Sequence, residues 1–257
     1  MLFAVDIGNS SVSFGVFDAE GTLVMRSKVD AAQSKSADEY AVLFKEILSL
    51  YGVDIKIVRE AILSSVVPSL THAIKQAVKK LFGVAPIEVG AGIKTGLNIK
   101  IDTQTQLGAD LVANAVAALS YENAPLVIVD FGTATTFTVV DQNAILCGVI
   151  IAPGVRVSLH ALAEYTAVLP DISVEPPKRL IGKNTQESVR SGVLYGHAAM
   201  VDGLVQKIKA ELKTERLCVI ATGGLAEAVL PYCKTEARLC PDLTLTGLYR
   251  IRQKNRK

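Results

Sequence analysis

The chain has 257 residues, half of them hydrophobic, with 27 Lys and Arg against 25 Asp and Glu. That length and hydrophobicity suffice for one large domain or two ordinary ones with a sizeable core. The net charge of +2, with basic residues scattered except at 250–257, argues against a nucleic-acid partner, and no apolar run nears the roughly 18 residues of a membrane span.

In chain order, residues 2–17 (LFAVDIGNSSVSFGVF) read as strand, tight turn and strand, and a third strand follows near 22–27. Tyr40, Leu43, Phe44, Ile47 and Leu48 recur at helical spacing and predict an amphipathic helix over 37–51. Residues 60–68 read as a buried strand ending in a turn, 72–82 as a helix and 87–89 as a short strand. A helix over 109–119 leads to a loop at 121–125. Residues 126–141 (LVIVDFGTATTFTVVD) then repeat the opening pattern. A strand at 144–152, a turn at Pro153-Gly154, helices near 157–165 and 186–212, and a strand at 217–221 complete the reading. The stretch 170–179, rich in Pro and charge, reads as a surface loop.

The repeat is the most informative feature. Asp6 and Asp130 stand 124 residues apart, and aligning them also aligns Leu2 with Leu126, Val5 with Val129 and Gly8 with Gly132. A spacing near half the chain points to a duplicated domain, with halves at 1–115 and 116–257. Each half runs three strands, helix, strand, helix, which predicts an α/β fold with helices covering mixed sheets.

Asp-x-Gly followed by hydroxyl residues suits a metal–nucleotide complex. Glycine permits close backbone approach, turn N–H groups and hydroxyls donate to phosphate, and the carboxylate needs a cation between itself and the phosphate. One such turn is ordinary; two at corresponding places can grip one polyphosphate. Asp110, in Gly108-Ala-Asp110, is the candidate general base, and a first-turn acid favoured by the helix dipole is the structural alternative. Gly223 and Gly224, after a buried strand, give a flat ring room to approach, or form a plain turn. Thr185 reads as a helix cap and a candidate substrate contact. His72, His160 and His197 are assigned to helix surfaces or core. No P-loop or dinucleotide fingerprint is present. Cys147 and Cys218 are expected to be buried thiols, and pairing of Cys233 with Cys240 is left open. With no basic leader, a cytoplasmic location is expected.

These residues resemble the type III pantothenate kinase family over nearly the whole chain. The resemblance is carried by Asp6-Ile-Gly-Asn-Ser10, Ser64-Ser-Val-Val-Pro68, Lys94-Thr-Gly-Leu-Asn-Ile-Lys100, Gly108-Ala-Asp110, Asp130-Phe-Gly-Thr-Ala-Thr-Thr136 and Ala152-Pro-Gly154. It continues through Thr166-Ala167, Leu169-Pro170, Ile181-Gly-Lys-Asn-Thr185, Ser191-Gly192, Asp202-Gly203, Thr222-Gly-Gly224 and Asp242-Leu-Thr-Leu-Thr-Gly-Leu248. It implies two duplicated ribonuclease-H-like (actin-like ATPase) domains with mixed five-stranded sheets and flanking helices. It also implies ATP-dependent phosphorylation of pantothenate, the first step towards coenzyme A, by a homodimer.

By the same resemblance, Asp6, Ile7, Gly8, Asn9, Ser10, Ser11, Val12 and Ser13 surround the ATP phosphates, with Asp6 near Mg2+, while Gly132 and Thr133 contact ATP. Asp130 holds K+ or NH4+. Asp110 accepts the substrate proton, and Gly108, Ala109, Leu111 and Thr185 line the pantothenate site. Ser10 stands where Thr is usual, which keeps the hydroxyl, and two pocket positions depart further from the family pattern. Leu111 stands where Arg is usual, and Ile101 where Tyr is usual, so the fork suited to a carboxylate is missing. A kinase of the same fold with another hydroxyl substrate, and a nucleotide-binding regulatory accessory protein, are the alternative readings.

Overall fold

The computed structural model describes residues 1–31, 35–103, 106–165 and 172–256. The motif residues Thr166, Ala167, Leu169 and Pro170, the start of the predicted loop 170–179, and Lys257 lie outside them. The chain divides into two compact units: residues 1–97, 102–117 and 242–257 form the first, and 98–101 with 118–241 form the second.

The elements run β1 (Leu2–Ile7), β2 (Ser11–Phe17), β3 (Leu23–Asp30), α1 (Ala37–Leu50), β4 (Glu60–Ser65), α2 (Pro68–Phe82), β5 (Ile87–Glu88), β6 (Asn98–Ile99) and α3 (Ala109–Ala118). They continue with β7 (Leu126–Phe131), β8 (Ala134–Val140), β9 (Ile145–Pro153), α4 (Val155–Glu164), α5 (Thr185–Leu212), β10 (Cys218–Thr222), α6 (Ala226–Val229), β11 (Arg238–Leu239) and α7 (Leu243–Lys254).

The first sheet has the order β3-β2-β1-β4-β5, and the second β11-β10-β7-β8-β9-β6. Five strands of the second sheet repeat the first, with β7, β8, β9, β10 and β11 in the places of β1, β2, β3, β4 and β5. The sixth is β6, which pairs Asn98 and Ile99 with Ile145 and Leu146. The expectation of two five-stranded sheets is corrected on this point. A two-residue strand is too short to show alternation in the sequence.

Register carries the repeat further than the letters do. β1 and β2 pair Val5 with Phe14 and Asp6 with Ser13; β7 and β8 pair Val129 with Phe137 and Asp130 with Thr136. Both hairpins have the same burial sequence along each strand. A bulge interrupts the second and third strands between Val16 and Phe17, and recurs between Val139 and Val140. The extra residues there are Val24 and Cys147, both exposed. Cys147, expected to be buried, is exposed at this bulge, and its thiol donates to Val139 O at 3.6 Å.

Within the first unit, alternation along β1 feeds two layers. Phe3, Val5 and Ile7 pack with Tyr40, Phe44 and Leu48 of α1 and Leu70, Ile74 and Val78 of α2. Leu2 and Ala4 face the other way, onto Ala113 and Val116 of α3 and Leu245, Leu248 and Ile251 of α7. Each fully buried Leu or Ile contributes about 1.5–3 kcal/mol. Ion pairs from Glu60 to Arg252 (3.0 Å) and Arg256 (2.8 Å) fasten α7 further. Residues 242–257, placed with the second half by the sequence division at 116, thus belong to the first unit. In the second unit Val127, Val129 and Phe131 pack on Leu159 of α4 and on Leu194, Ala198, Val201 and Val205 of α5.

Candidate active site

β1 ends at the first Asp-x-Gly turn. Asp6 has Ser13 opposite it on β2 and Ser64 opposite it on β4, and the Ser64 hydroxyl donates to the Asp6 carboxylate at 2.7 Å. The Gly8 amide donates to the Ser11 carbonyl at 2.9 Å, which leaves Asn9 and Ser10 as an exposed tip. Two main-chain bonds hold this tip: Ala31 N to Ser10 O (3.1 Å) and Val66 N to Ile7 O (3.0 Å). Ile7 and Val12, expected in the nucleotide loop, bury their side chains in the core. Only their main chain is left to face a ligand.

The second turn has the same frame and a different end. Asp130 has Thr136 opposite on β8 and Thr222 opposite on β10. The Gly132 amide donates to Ala134 O at 3.1 Å, so this tip is one residue shorter. It leaves Gly132 and Thr133 exposed. Two glycines enclose it. A Cβ on Gly154 would strike Thr133 O and lie 2.7 Å from Gly132 O. One on Gly223 would strike the Asp130 carboxylate and lie 2.6 Å from Phe131 N, and the φ of +92° there is itself strained for any other residue. The space at Gly223, expected to admit a flat ring, is thus filled by the chain's own Asp130 and Phe131; Gly224 is the exposed glycine of the pair. Behind Gly154, His197 is buried with its ring nitrogens 2.8 Å from Val193 O and 3.1 Å from Pro153 O. That core role matches the sequence reading.

The hydroxyls of the two turns differ. Ser64 is engaged by Asp6, whereas the Oγ1 atoms of Thr135 and Thr136 are buried without a hydrogen-bond partner. Thr136 lies on the Asp130 face of the sheet. A buried oxygen left unsatisfied beside a carboxylate fits a cation ligand. Among the described residues no three His, Cys, Asp or Glu side chains cluster as a metal site. Any ion here would therefore rest on one carboxylate together with hydroxyl or ligand oxygens, as Mg2+ does at nucleotide sites.

Asp110 is the second residue of α3, half-buried, with Leu111 N donating to its Oδ1 at 2.9 Å. The first-turn acid reading is therefore realised locally. Burial nevertheless dominates and raises the pKa of the carboxyl above its ordinary value, with main-chain hydrogen bonds opposing. Gly108 lies close beside it: a Cβ there would displace the Asp110 carboxylate from its place and sit 3.5 Å from Val66 of the segment after β4. Three residues on, Ala113 packs against the Leu2 and Ala4 side of β1, the side that Asp6 shares by alternation. Asp6, Ser64 and Asp110 are thus gathered on one face of the first sheet, at the carboxyl ends of β1 and β4. Ligands of α/β sheets bind at such ends.

Leu111 is buried, and Ile101 is half-buried in the segment 98–101 of the second unit. Thr185 is the exposed first residue of α5, and the cap is Asn184, whose side chain accepts from Glu187 N at 2.9 Å. This corrects the assignment of the cap to Thr185, because the shorter route to the third helical amide starts one residue earlier. All four cysteines are free thiols, Cys233 and Cys240 included, and burial pushes Cys233 up to about 11. Sequence reasoning did not single out Ser64, Thr136 or Thr222 as flanking each Asp. The signal was available in the hydroxyl residues that sit opposite it once strand register is drawn.

A family model for type III pantothenate kinase matches residues 2–207. A type III pantothenate kinase from Geotalea uraniireducens is 41% identical over 257 residues, covering all of both chains. One from Bacillus cytotoxicus is 40% identical over 255 residues, covering 99% of this chain and 97% of its own. Among solved structures, a Baf family transcriptional activator from Campylobacter jejuni aligns with a TM-score of 0.61 at 19% identity, covering 98% of each chain. A ROK hexokinase from Thermus thermophilus aligns at 0.54 and 13%, covering 99% of each. These two share the fold. With the family model matched over residues 2–207 and 41% and 40% identity to two of its members along nearly the whole chain, the chain belongs to the type III pantothenate kinase family.

Proposed function

We propose that this chain uses ATP to phosphorylate pantothenate to 4'-phosphopantothenate, the first step of coenzyme A biosynthesis, with Asp110 as general base. The observation that carries this reading is the partly buried Asp110 carboxylate on the Asp6 side of the first sheet. Desolvation makes it a stronger proton acceptor than an exposed Asp. It would take the proton of the primary hydroxyl as that oxygen attacks the γ-phosphorus in line.

Asp6 with the turn main chain at Ile7, Gly8, Asn9 and Ser10, and then Ser11, Val12 and Ser13, would orient the phosphates. Gly132 and Thr133 of the second turn would contact ATP, and Gly224 with Gly223 would border the base. Asp6 would hold Mg2+, and Asp130 with Thr136 would hold K+ or NH4+; these ions supply charge neutralisation for the transferring phosphoryl group. Gly108, Ala109, Leu111 and Thr185 would line the acceptor. A homodimer is part of the reading, carried over from the family resemblance.

The test is ADP release coupled to product identification, with pantothenate as acceptor, with and without K+. Cation-stimulated phosphopantothenate formation is expected, lowered by at least about 100-fold in Asp110→Asn. Protein that binds ATP but forms no phosphopantothenate under either cation would overturn the reading. The burial of Leu111, which offers no fork to a carboxylate, favours one second reading, another hydroxyl acceptor. A panel of small acids and alcohols with faster ADP release than pantothenate would establish it.

A further inference from the structure

The segment Asp242-Leu-Thr-Leu-Thr-Gly-Leu248 has no part in the chemistry so far. It forms the start of α7, in the same unit as α3. Gly247 lies directly on α3: a Cβ there would strike the Ala113 carbonyl oxygen and lie 2.5 Å from its carbon and 2.9 Å from its Cα. One turn earlier on α7, the Thr244 hydroxyl donates to Asn114 Oδ1 at 2.7 Å. Asn114 is fully buried. Leu245 and Leu248 fill the same layer as Ala113 and Val116. The exposed Arg26–Asp242 pair, at 2.7 Å, ties the start of α7 to β3.

Two contacts of different kinds therefore set one register. The glycine fixes how closely the helices approach, and the Thr–Asn bond fixes where along α3 they meet. Both act on residues 113 and 114, and Asn114 is one helical turn beyond Asp110 on the same face. Nothing else about a helix-packing contact demands a buried polar pair; Leu and Ala would serve for burial alone, and an unmet Asn would be costly.

We infer that Thr244 and Gly247 are positioning residues for Asp110: α7 clamps α3 so that the first turn of α3 presents the carboxylate in one place. This rests on the reading of Asp110 as the base. A displacement near 1 Å is enough to cost a general base much of its advantage, so the effect belongs in kcat rather than in nucleotide affinity.

The experiment compares wild type with Thr244→Val, Thr244→Ser and Gly247→Ala by two measurements. The first is kcat and KM for pantothenate and for ATP. The second is amide hydrogen exchange over residues 106–118, which needs no substrate. In Thr244→Val, kcat should fall about 10-fold with KM for ATP within about twofold, and exchange at the first turn of α3 should accelerate. Thr244→Ser, which keeps the hydroxyl, should restore both. Gly247→Ala should do more than Thr244→Val if it folds, and Thr244→Val decides the matter if it does not. Unchanged exchange in Thr244→Val, or faster exchange with unchanged kcat, would overturn the inference. If the wild type turned over no pantothenate, the function reading would fall, while the exchange measurement would still decide whether α7 clamps α3.

Discussion

The two Asp-x-Gly turns share a frame and differ at their ends. Strand order, pairing register, bulge position and the rungs at which the fifth strand attaches are the same in both sheets. The first tip is one residue longer, hangs on main-chain bonds from Ala31 and Val66, and turns Ser64 inward onto Asp6. The second is shorter, is enclosed by Gly154 and Gly223, and leaves the Thr136 hydroxyl unsatisfied on the Asp130 side. Backbone geometry is held by many pairings at once, so it survives sequence change. The chemistry of a tip depends on two or three side chains and can diverge freely. Equal frames thus need not mean equal ligands.

The largest expected effect separates the two carboxylates. Asp6→Asn and Asp130→Asn should each lower kcat by on the order of 100-fold, but through different ions. Asp6→Asn should raise the Mg2+ concentration needed for half-maximal rate. Asp130→Asn should abolish the response to K+. Steady-state rates with each ion varied in turn would measure this, and the same ion affected in both variants would erase the distinction between the tips.

A smaller effect concerns the flanking hydroxyls. Ser64→Ala removes a hydrogen bond to a carboxylate and should cost about 1.5–3 kcal/mol of stability. Thr136→Val removes a hydroxyl that has no protein partner, so without K+ it should be neutral or slightly stabilising. Denaturant unfolding with and without K+ would read both. An equal loss in the two variants would mean the second turn is as closed as the first.

The smallest effect is in the pH dependence of stability. The Asp110 carboxyl has its pKa raised in the folded state from an ordinary 3.8. The folded protein therefore holds that proton over a window above 3.8 in which the unfolded chain has released it. Stability from this group is greatest at low pH and declines as pH rises through the window. Asp110→Asn should abolish the decline, so its unfolding midpoint should gain on the wild type as pH is raised above the window. Parallel curves for the two proteins would show that Asp110 is not desolvated.

Much of this was legible in the sequence because it is written in patterns that persist over many residues. Four apolar residues followed by Asp-x-Gly, twice, specify both hairpins, and the spacing of Tyr40, Phe44 and Leu48 specifies α1. Asp6, Asp110 and Asp130 were visible from their glycine neighbours. Three kinds of feature were hidden. The two-residue strands β6 and β11 carry too little alternation to be read, whereas β5 was read at 87–89. The start of α2 was read as the end of a strand, although Pro68 occupies the first helical turn, where a missing N–H costs nothing. α7 went unread because Gly247 interrupts its apolar face, and that glycine is there for the backbone of Ala113. Ser64, Thr136 and Thr222 were present as letters, but their closeness to Asp6 and Asp130 exists only across strands.

The membership of α7 in the first unit has a consequence for the order in which the protein takes shape during translation. Residues 118–241 leave the ribosome as an uninterrupted run that contains nearly all of the second unit. The first unit, although its opening strands are made earliest, lacks the α7 part of the cover over Leu2, Ala4 and Ile62 until residues 242–257 emerge. Vectorial synthesis ordinarily lets the N-terminal portion fold first. Here the portion that starts first finishes last. A nascent chain arrested before residue 242 should hold a protease-resistant second unit and a first sheet whose second face is covered by α3 alone.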